Sequence, residues 1–296
     1  MGITTVYLLV TTSAFFWGAN FVLAGPILAE LPPLWAAAIR FVLGATLMFI
    51  IAGVRREKML GPVRRHAATY LLLGTVGITG FNLFFFYALQ STSANSAALI
   101  MATNPLITAL LATVFLGERP TARHLVALPV ALIGVAVVIS QGNMGRLSSF
   151  SFARGDLLML AANLSWAMYN VLVRRCMPQG SAIVNTSWIM AAGAILLFSV
   201  AMGSDSHASA MDSKASMAMA VMVIGGTVLA YLFWSIGIKR LGAARTAIFL
   251  NLVPVFAILI GAFLGSLPTM AQLAGGLLVL GGVSISMLPP RRLAAA

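Results

Sequence analysis

Apolar residues in this chain come in runs of about 20, separated by short stretches rich in Gly, Pro and charge. Ten runs are legible, at about residues 4–24, 34–53, 67–89, 94–116, 122–140, 155–173, 182–202, 216–238, 244–264 and 270–288. About 20 apolar residues in a helix cross the hydrocarbon core of a bilayer, so the pattern predicts ten transmembrane helices. The separators carry breaker signals: Gly25-Pro26, Pro32-Pro33, Gly61-Pro62, Gly117 to Pro120, Gly142-Asn143, Pro178 to Gly180 and Pro289-Pro290. The longest polar stretches, 141–154 and 203–213, are too short to fold alone and are read as surface loops.

Composition sharpens this picture. Of 296 residues, 60% are hydrophobic and 8% charged, and the mean hydropathy is +1.01. A soluble domain carries about 25% charged residues, and disordered chains are apolar-poor, so both classes are excluded. The fold class is all-α, polytopic and membrane-embedded, with the lipid bilayer as a partner. The net charge is +12, but the basic residues cluster between apolar runs. They form no extended face for phosphates, so nucleic acid is not an expected partner.

Instead the clusters set orientation. With the N-terminus inside, the inner loops hold Arg55, Arg56, Lys58, Arg64, Arg65, Arg119, Arg123, Arg174, Arg175, Lys239, Arg240, Arg245, Arg291 and Arg292. The outer loops hold Arg146, Arg154 and Lys214. Both termini are therefore expected in the cytoplasm. The single cysteine, Cys176, excludes an intrachain disulfide and a multi-cysteine metal site. No cleavable signal is evident, because the first run is long enough to span and lacks a basic start.

An offset of 149 residues pairs Trp17 with Trp166, Leu83 with Leu232, Phe84 with Phe233, Ala94 with Ala243, Ala98 with Ala247, and Pro105 with Pro254. The Trp and Pro pairs carry most weight, because the chain has only 5 Trp and 12 Pro. The expected organisation is two five-helix halves, 1–148 and 149–296. Five is odd, so the second half enters the membrane inverted, as in secondary transporters whose substrate sits near the midplane between the halves.

The interior is notable for what it lacks. All six acids, Glu30, Glu57, Glu118, Asp156, Asp205 and Asp212, fall in loops or at span ends, as do His66, His124 and His207. No group remains at depth to carry a proton or a metal ion. Arg40 lies about six residues inside the second run, within snorkelling range, and is read as an interfacial anchor in preference to a pathway residue. No Gly-rich phosphate loop, HExxH or paired carboxylates occur, which argues against ATP-driven pumping, an enzyme and a cofactor.

What the interior offers is amides and rings at helical spacing. Ser13, Trp17 and Asn20 share one face of the first helix, and Asn163, Trp166 and Asn170 one face of the sixth. Thr75, Thr79 and Asn82 line the third, Thr227, Tyr231 and Trp234 the eighth, and Asn104 and Asn251 lie in the fourth and ninth. Such residues serve either as interhelical glue and interfacial belts or as the lining of a central cavity. Their recurrence on matching helices of both halves favours the cavity. Pro105 and Pro254, read as mid-helix, should free the carbonyls of Met101 and Leu250 and act as kinks or hinges. The pairs Ala271/Gly275 and Gly282/Ser286 favour close packing of the last helix, within the bundle or in a homodimer.

Ten spans, the 5+5 repeat, the stretch Trp17-Gly18-Ala19-Asn20 and the sequence Gly117-Glu118-Arg119-Pro120 together resemble the drug/metabolite transporter superfamily. Within it the chain is similar to the EamA-type ten-helix exporters, most of all the YddG amino-acid exporters. That resemblance implies a bacterial inner-membrane exporter of amino acids, aromatic ones included, with a central cavity formed by helices 1, 3, 4, 6, 8 and 9. The second half has Gly265-Ser266-Leu267-Pro268 where the first has the Gly-Glu-Arg-Pro signature, so any role of Glu118 is not duplicated. A neutral lining of amides and rings suits a zwitterion, with aromatic faces attracting its ammonium, and an uncoupled facilitator. Efflux of drugs or neutral metabolites, and a non-transporting membrane scaffold, are the alternatives.

Overall fold

A computed structural model describes residues 1–89, 91, 100–118, 122–140, 145, 154–265 and 268–287. These residues form ten helical rods, labelled in chain order. They are α1 (Ile3–Leu28), α2 (Pro33–Val54), α3 (Leu60–Gly74, Thr75–Gly80 and Phe81–Leu89 end to end), α4 (Asn104–Leu116) and α5 (Ala122–Ser140). Then follow α6 (Arg154–Cys176), α7 (Ala182–Met202), α8 (Ser213–Val221, Met222–Leu229 and Ala230–Leu241), α9 (Ala243–Ala247, Ile248–Asn251 and Leu252–Phe263) and α10 (Met270–Met287). Seven rods are long and apolar enough to cross a membrane, and α4, α5 and α10 hold shorter apolar helices. The protein is an all-α polytopic membrane protein.

The differences from the sequence pattern have local causes. The third rod starts at Leu60 because Pro62 sits in its first turn, where the missing N–H has no helical partner; the rod bends at His66 (φ −128°, ψ 22°). The first runs on through Gly25 and Pro26 to Leu28. In the fourth run, 94–99 lie outside the described residues. The chain is helical at 100–102, turns at Thr103, and restarts as α4 with Pro105 in the first turn. Pro105 thus follows a break and does not kink a continuous helix. Pro254 likewise falls in the first turn of Leu252–Phe263, after the 3-10 turn Ile248–Asn251. The segments Thr75–Gly80 in α3 and Met222–Leu229 in α8 are π-helical, with i→i+5 bonds, a form common at functional sites.

Two contacts recur with the chain positions exchanged at a spacing of 149. The Tyr169 ring lies on Gly77, where a Cβ would come within 2.1 Å of it, and the Asn20 amide lies on Gly226, where a Cβ would come within 2.2 Å. Thr227 fills the space beside Gly44, and Ile78 that beside Gly193. Glycine is required at these positions for the approach of the neighbouring helix. The small residues of α10 serve the same end within the chain: Gly134 of α5 backs onto Gly275 and Val279, and Gly282 backs onto Ala127 and Ala131. The Ser286 side chain lies outside the described residues.

The rods have two ends. At the basic end, where α1 begins, Glu118 after α4 pairs with Arg174 of α6 (3.4 Å) and lies against Gly242 of the α8–α9 turn (φ 93°). Arg174 donates to the Lys239 carbonyl, Arg175 to that of Phe115 (3.1 Å), and Lys239 to that of Pro178 (2.9 Å). At the opposite end, Trp35 Nε1 donates to Ser206 O (2.7 Å), and the Glu30 carboxylate accepts from the Asp212 N–H (2.7 Å). Arg119, Pro120, Ser266 and Leu267 lie outside the described residues.

Candidate functional site

Where α1, α6 and α8 cross, their aromatic residues meet. Trp17 lies 5.4 Å from Trp166, 5.9 Å from Tyr231 and 4.9 Å from Trp234, ring centre to ring centre. Trp166 is 5.7 Å from Tyr231 and 5.2 Å from Tyr169, with Phe81 on its other side at 5.3 Å. Phe41 of α2 stands edge-on to Tyr231 at 5.6 Å. Mostly edge-to-face pairs at these distances add about 0.5–1.5 kcal/mol each beyond area burial, so the cluster holds its own shape. Trp166, Tyr231 and Trp234 are buried, whereas Trp17 is only half-buried. Trp17 Nε1 donates to Gly226 O (3.0 Å), a carbonyl of the α8 π segment.

The amides divide into two kinds. Asn104, Asn163 and Asn170, all 0% exposed, form one closed network. Asn104 Nδ2 donates to Asn163 Oδ1 (2.6 Å), and Thr108 Oγ1 donates to Asn104 Oδ1 (3.1 Å). Asn163 Nδ2 donates to Ile100 O and to Thr103 Oγ1 (3.0 Å). Asn170 Oδ1 accepts from Trp234 Nε1 (2.8 Å). Ile100 O is a carbonyl at the helix break, so the network fills a gap that a continuous helix would have closed itself. Thr79 turns away from the rings and donates to Gly193 O of α7 (3.3 Å).

Other polar atoms are left over. Asn20 Oδ1 is buried with no partner, and Asn251, 2% exposed, has neither amide atom bonded. Arg40 is not an interfacial anchor. Its Cζ stacks 4.8 Å from the Phe41 ring centre, and Nη2 reaches Asn82 Oδ1 at 3.4 Å. Its Nε is buried with no hydrogen-bond partner among the described residues. The guanidinium therefore turns inward beside the aromatic cluster, because the helix face carrying Arg40 and Phe41 packs toward α3 and α8. Asn82 Nδ2 is held by Ile78 O (2.7 Å).

Sequence reasoning did not include Tyr169, Phe41 or Phe81. Tyr169 was within reach, since it stands 149 residues after Asn20; nothing in the spacing marks the two phenylalanines among 17. Among the described residues no three His, Cys, Asp or Glu side chains gather into a metal-binding group.

A multi-helix membrane protein with π segments flanking an aromatic, acid-free centre has the build of a carrier for small molecules. The chain belongs to the EamA-like transporter family, which matches it over residues 4–140 and again over 153–288. It is 36% identical over 284 residues to the uncharacterised transporter YyaM of Bacillus subtilis, covering 94% of this chain and 92% of the relative. It is 29% identical over 286 residues (92% and 91% covered) to a probable amino-acid metabolite efflux pump of Salmonella typhimurium. A probable terminal-alkyne amino-acid exporter of Streptantibioticus cattleyicolor is 26% identical over 235 residues, 79% of this chain and 75% of that one. A solved crystal structure superposes with a TM-score of 0.81 at 22% identity, over 99% of this chain and 100% of that one, which speaks for the fold alone.

Proposed function

We propose that this transporter exports amino acids, aromatic and other zwitterionic ones, across the bacterial inner membrane. It does so by alternating access of two inverted five-helix halves, 1–148 and 149–296, with both termini cytoplasmic. The observation that carries the reading is the contact of Trp17 with Trp166 at 5.4 Å. These residues occupy matching positions, so a twofold exchanging the halves passes between them, and the surrounding rings and amides sit at the centre of the carrier. The double match to the family and the recurrent glycine contacts support the repeat. The printed names of two relatives support the substrate class.

The chemistry suits the cargo. Aromatic faces hold apolar side chains and attract an ammonium. All six acids lie among the described residues, at rod ends or in loops. Asp156 is buried (0% exposed), but it sits in the first turn of α6, ten residues before Trp166 and so about 15 Å along the helix from it. No carboxylate stands at the aromatic centre to couple a proton. The carrier then works as an uncoupled facilitator that lowers a high cytoplasmic concentration by equilibration. Glu118 and Arg174 pair at the basic end, and in this reading the pair separates when the site turns inward. The test is counterflow of radiolabelled phenylalanine, leucine and a control sugar in liposomes carrying the purified protein, with pH and potential gradients imposed in turn. Saturable exchange of the amino acids alone, blind to both gradients, is expected. Sugar exchange, or accumulation driven by a pH gradient, would contradict it.

A further inference from the structure

We infer that Arg40 is the group that recognises the substrate, through its carboxylate, and that aromatic and apolar monocarboxylates lacking an ammonium are accepted as readily as amino acids. The inference rests on the reading of the aromatic centre as the substrate site.

A guanidinium offers five N–H donors in a planar fork. Arg40 uses one hydrogen bond, to Asn82 Oδ1 at 3.4 Å, long for a charged donor, and its Nε is buried unbonded. No acid neutralises it among the described residues, which include all six. Glu118 pairs with Arg174, Glu57 accepts from Ser181, Glu30 accepts from the Asp212 N–H, and Asp212 caps α8. Asp156 stands buried in the first turn of α6, where it has interactions of its own, and Asp205 stands in the loop before α8. A charge held inside a membrane bundle without a counterion is costly, and such residues mark substrate or ion pathways.

Its position is central. Arg40 bonds to Asn82 and stacks on Phe41, whose ring lies 5.6 Å from that of Tyr231, and Asn82 and Tyr231 stand 149 residues apart, at matching positions of the two halves. A group lying between matching positions lies near the axis that exchanges them. A carboxylate bound to the fork would leave its side chain within reach of Tyr231, 5.9 Å from Trp17 and 5.7 Å from Trp166. The position matching Arg40 is Ile189, so the centre holds one positive charge and suits one carboxylate better than a phosphate dianion.

The ammonium of an amino acid finds only aromatic ring faces, a weaker partner than the Arg40 fork is for the carboxylate. No acid faces the centre, and the Phe41 ring already carries the Arg40 charge at 4.8 Å. A monocarboxylate leaves the occupied site neutral, whereas a zwitterion leaves it with one uncompensated positive charge. Moving such an anion outward also moves a negative charge, so an inside-negative potential drives its export while leaving zwitterion exchange unaffected.

The experiment measures direct binding of radiolabelled L-phenylalanine, 3-phenylpropionate and L-phenylalaninamide to the purified protein in nanodiscs, for wild type, Arg40→Gln and Arg40→Lys. A bidentate charged contact is worth about ten- to hundredfold in affinity. Wild type is expected to bind the two carboxylates within about threefold of each other, and the amide about tenfold or more weaker. Arg40→Gln should erase that preference and Arg40→Lys restore part of it. Thermal melting checks that Arg40→Gln is folded; if it is not, the wild-type ratio decides alone. Binding of phenylalanine and its amide but not of phenylpropionate would overturn the inference and leave the amino-acid reading standing, as would a preference for carboxylates retained in folded Arg40→Gln. Binding of phenylpropionate without phenylalanine would support the inference and sink the amino-acid reading. Binding of none of the three would end both.

Discussion

The amides of α4 and α6 and the polar groups of α1, α2 and α9 all lie within rods of the helix bundle, yet they differ in one respect. Asn104, Asn163 and Asn170 have their bonds filled by each other, by Thr108 and by the broken backbone at Ile100. Asn20, Arg40 and Asn251 keep atoms with no hydrogen-bond partner among the described residues. A filled amide in a membrane protein is glue; an unfilled one is costly unless water or cargo completes it. The contrast separates the residues that build the site from those that serve it.

The largest expected effect falls on the filled network. Asn163→Ala removes the three side-chain bonds to Asn104 Nδ2, Ile100 O and Thr103 Oγ1, leaving Ile100 O to Thr103 alone and Asn104 Nδ2 to the Asn163 carbonyl alone. It should destabilise the fold by about 2 kcal/mol, read by thermal melting in detergent. A smaller loss, about 1 kcal/mol of overpacking, is expected for Gly226→Ala, whose added methyl meets the movable end of the Asn20 side chain within 2.2 Å. Transport should fall with it, since Trp17 also bonds to Gly226 O. Asn251→Leu reverses the pattern: stability should hold or rise by up to about 1 kcal/mol, because a buried unbonded amide is removed, while counterflow slows. A loss of stability comparable to that of Asn163→Ala would break the comparison. The smallest effect belongs to Glu118→Gln, since its pair with Arg174 is partly exposed (26% and 40%), and such pairs contribute less than about 1 kcal/mol.

How much of this was legible follows from the same physics. The all-helical membrane class and the special place of Trp17 and Trp166, which meet at 5.4 Å, were readable because long apolar runs and rare residues leave strong signals. The faces of α3 were not. A π segment abandons the 3.6-residue period on which the reading of Thr75, Thr79 and Asn82 rested, so Thr79 ends against α7 and Asn82 against Arg40. Arg40 itself was misjudged because depth counted in residues gives no direction, and a guanidinium near a span end can reach either way. Spacing placed Asn20 and Asn170 on equal terms; only their bonding tells them apart.

Thiol labelling of single-cysteine variants in a Cys176→Ser background therefore tests the central claim most directly. Asn20→Cys should react with a membrane-permeant maleimide and be protected by bound phenylalanine, since that side chain borders the cargo. Asn170→Cys, behind Trp234 and 0% exposed in the native chain, should stay unreactive with or without substrate. Equal reactivity at the two positions, or labelling at Asn20→Cys that phenylalanine does not slow, would contradict the account.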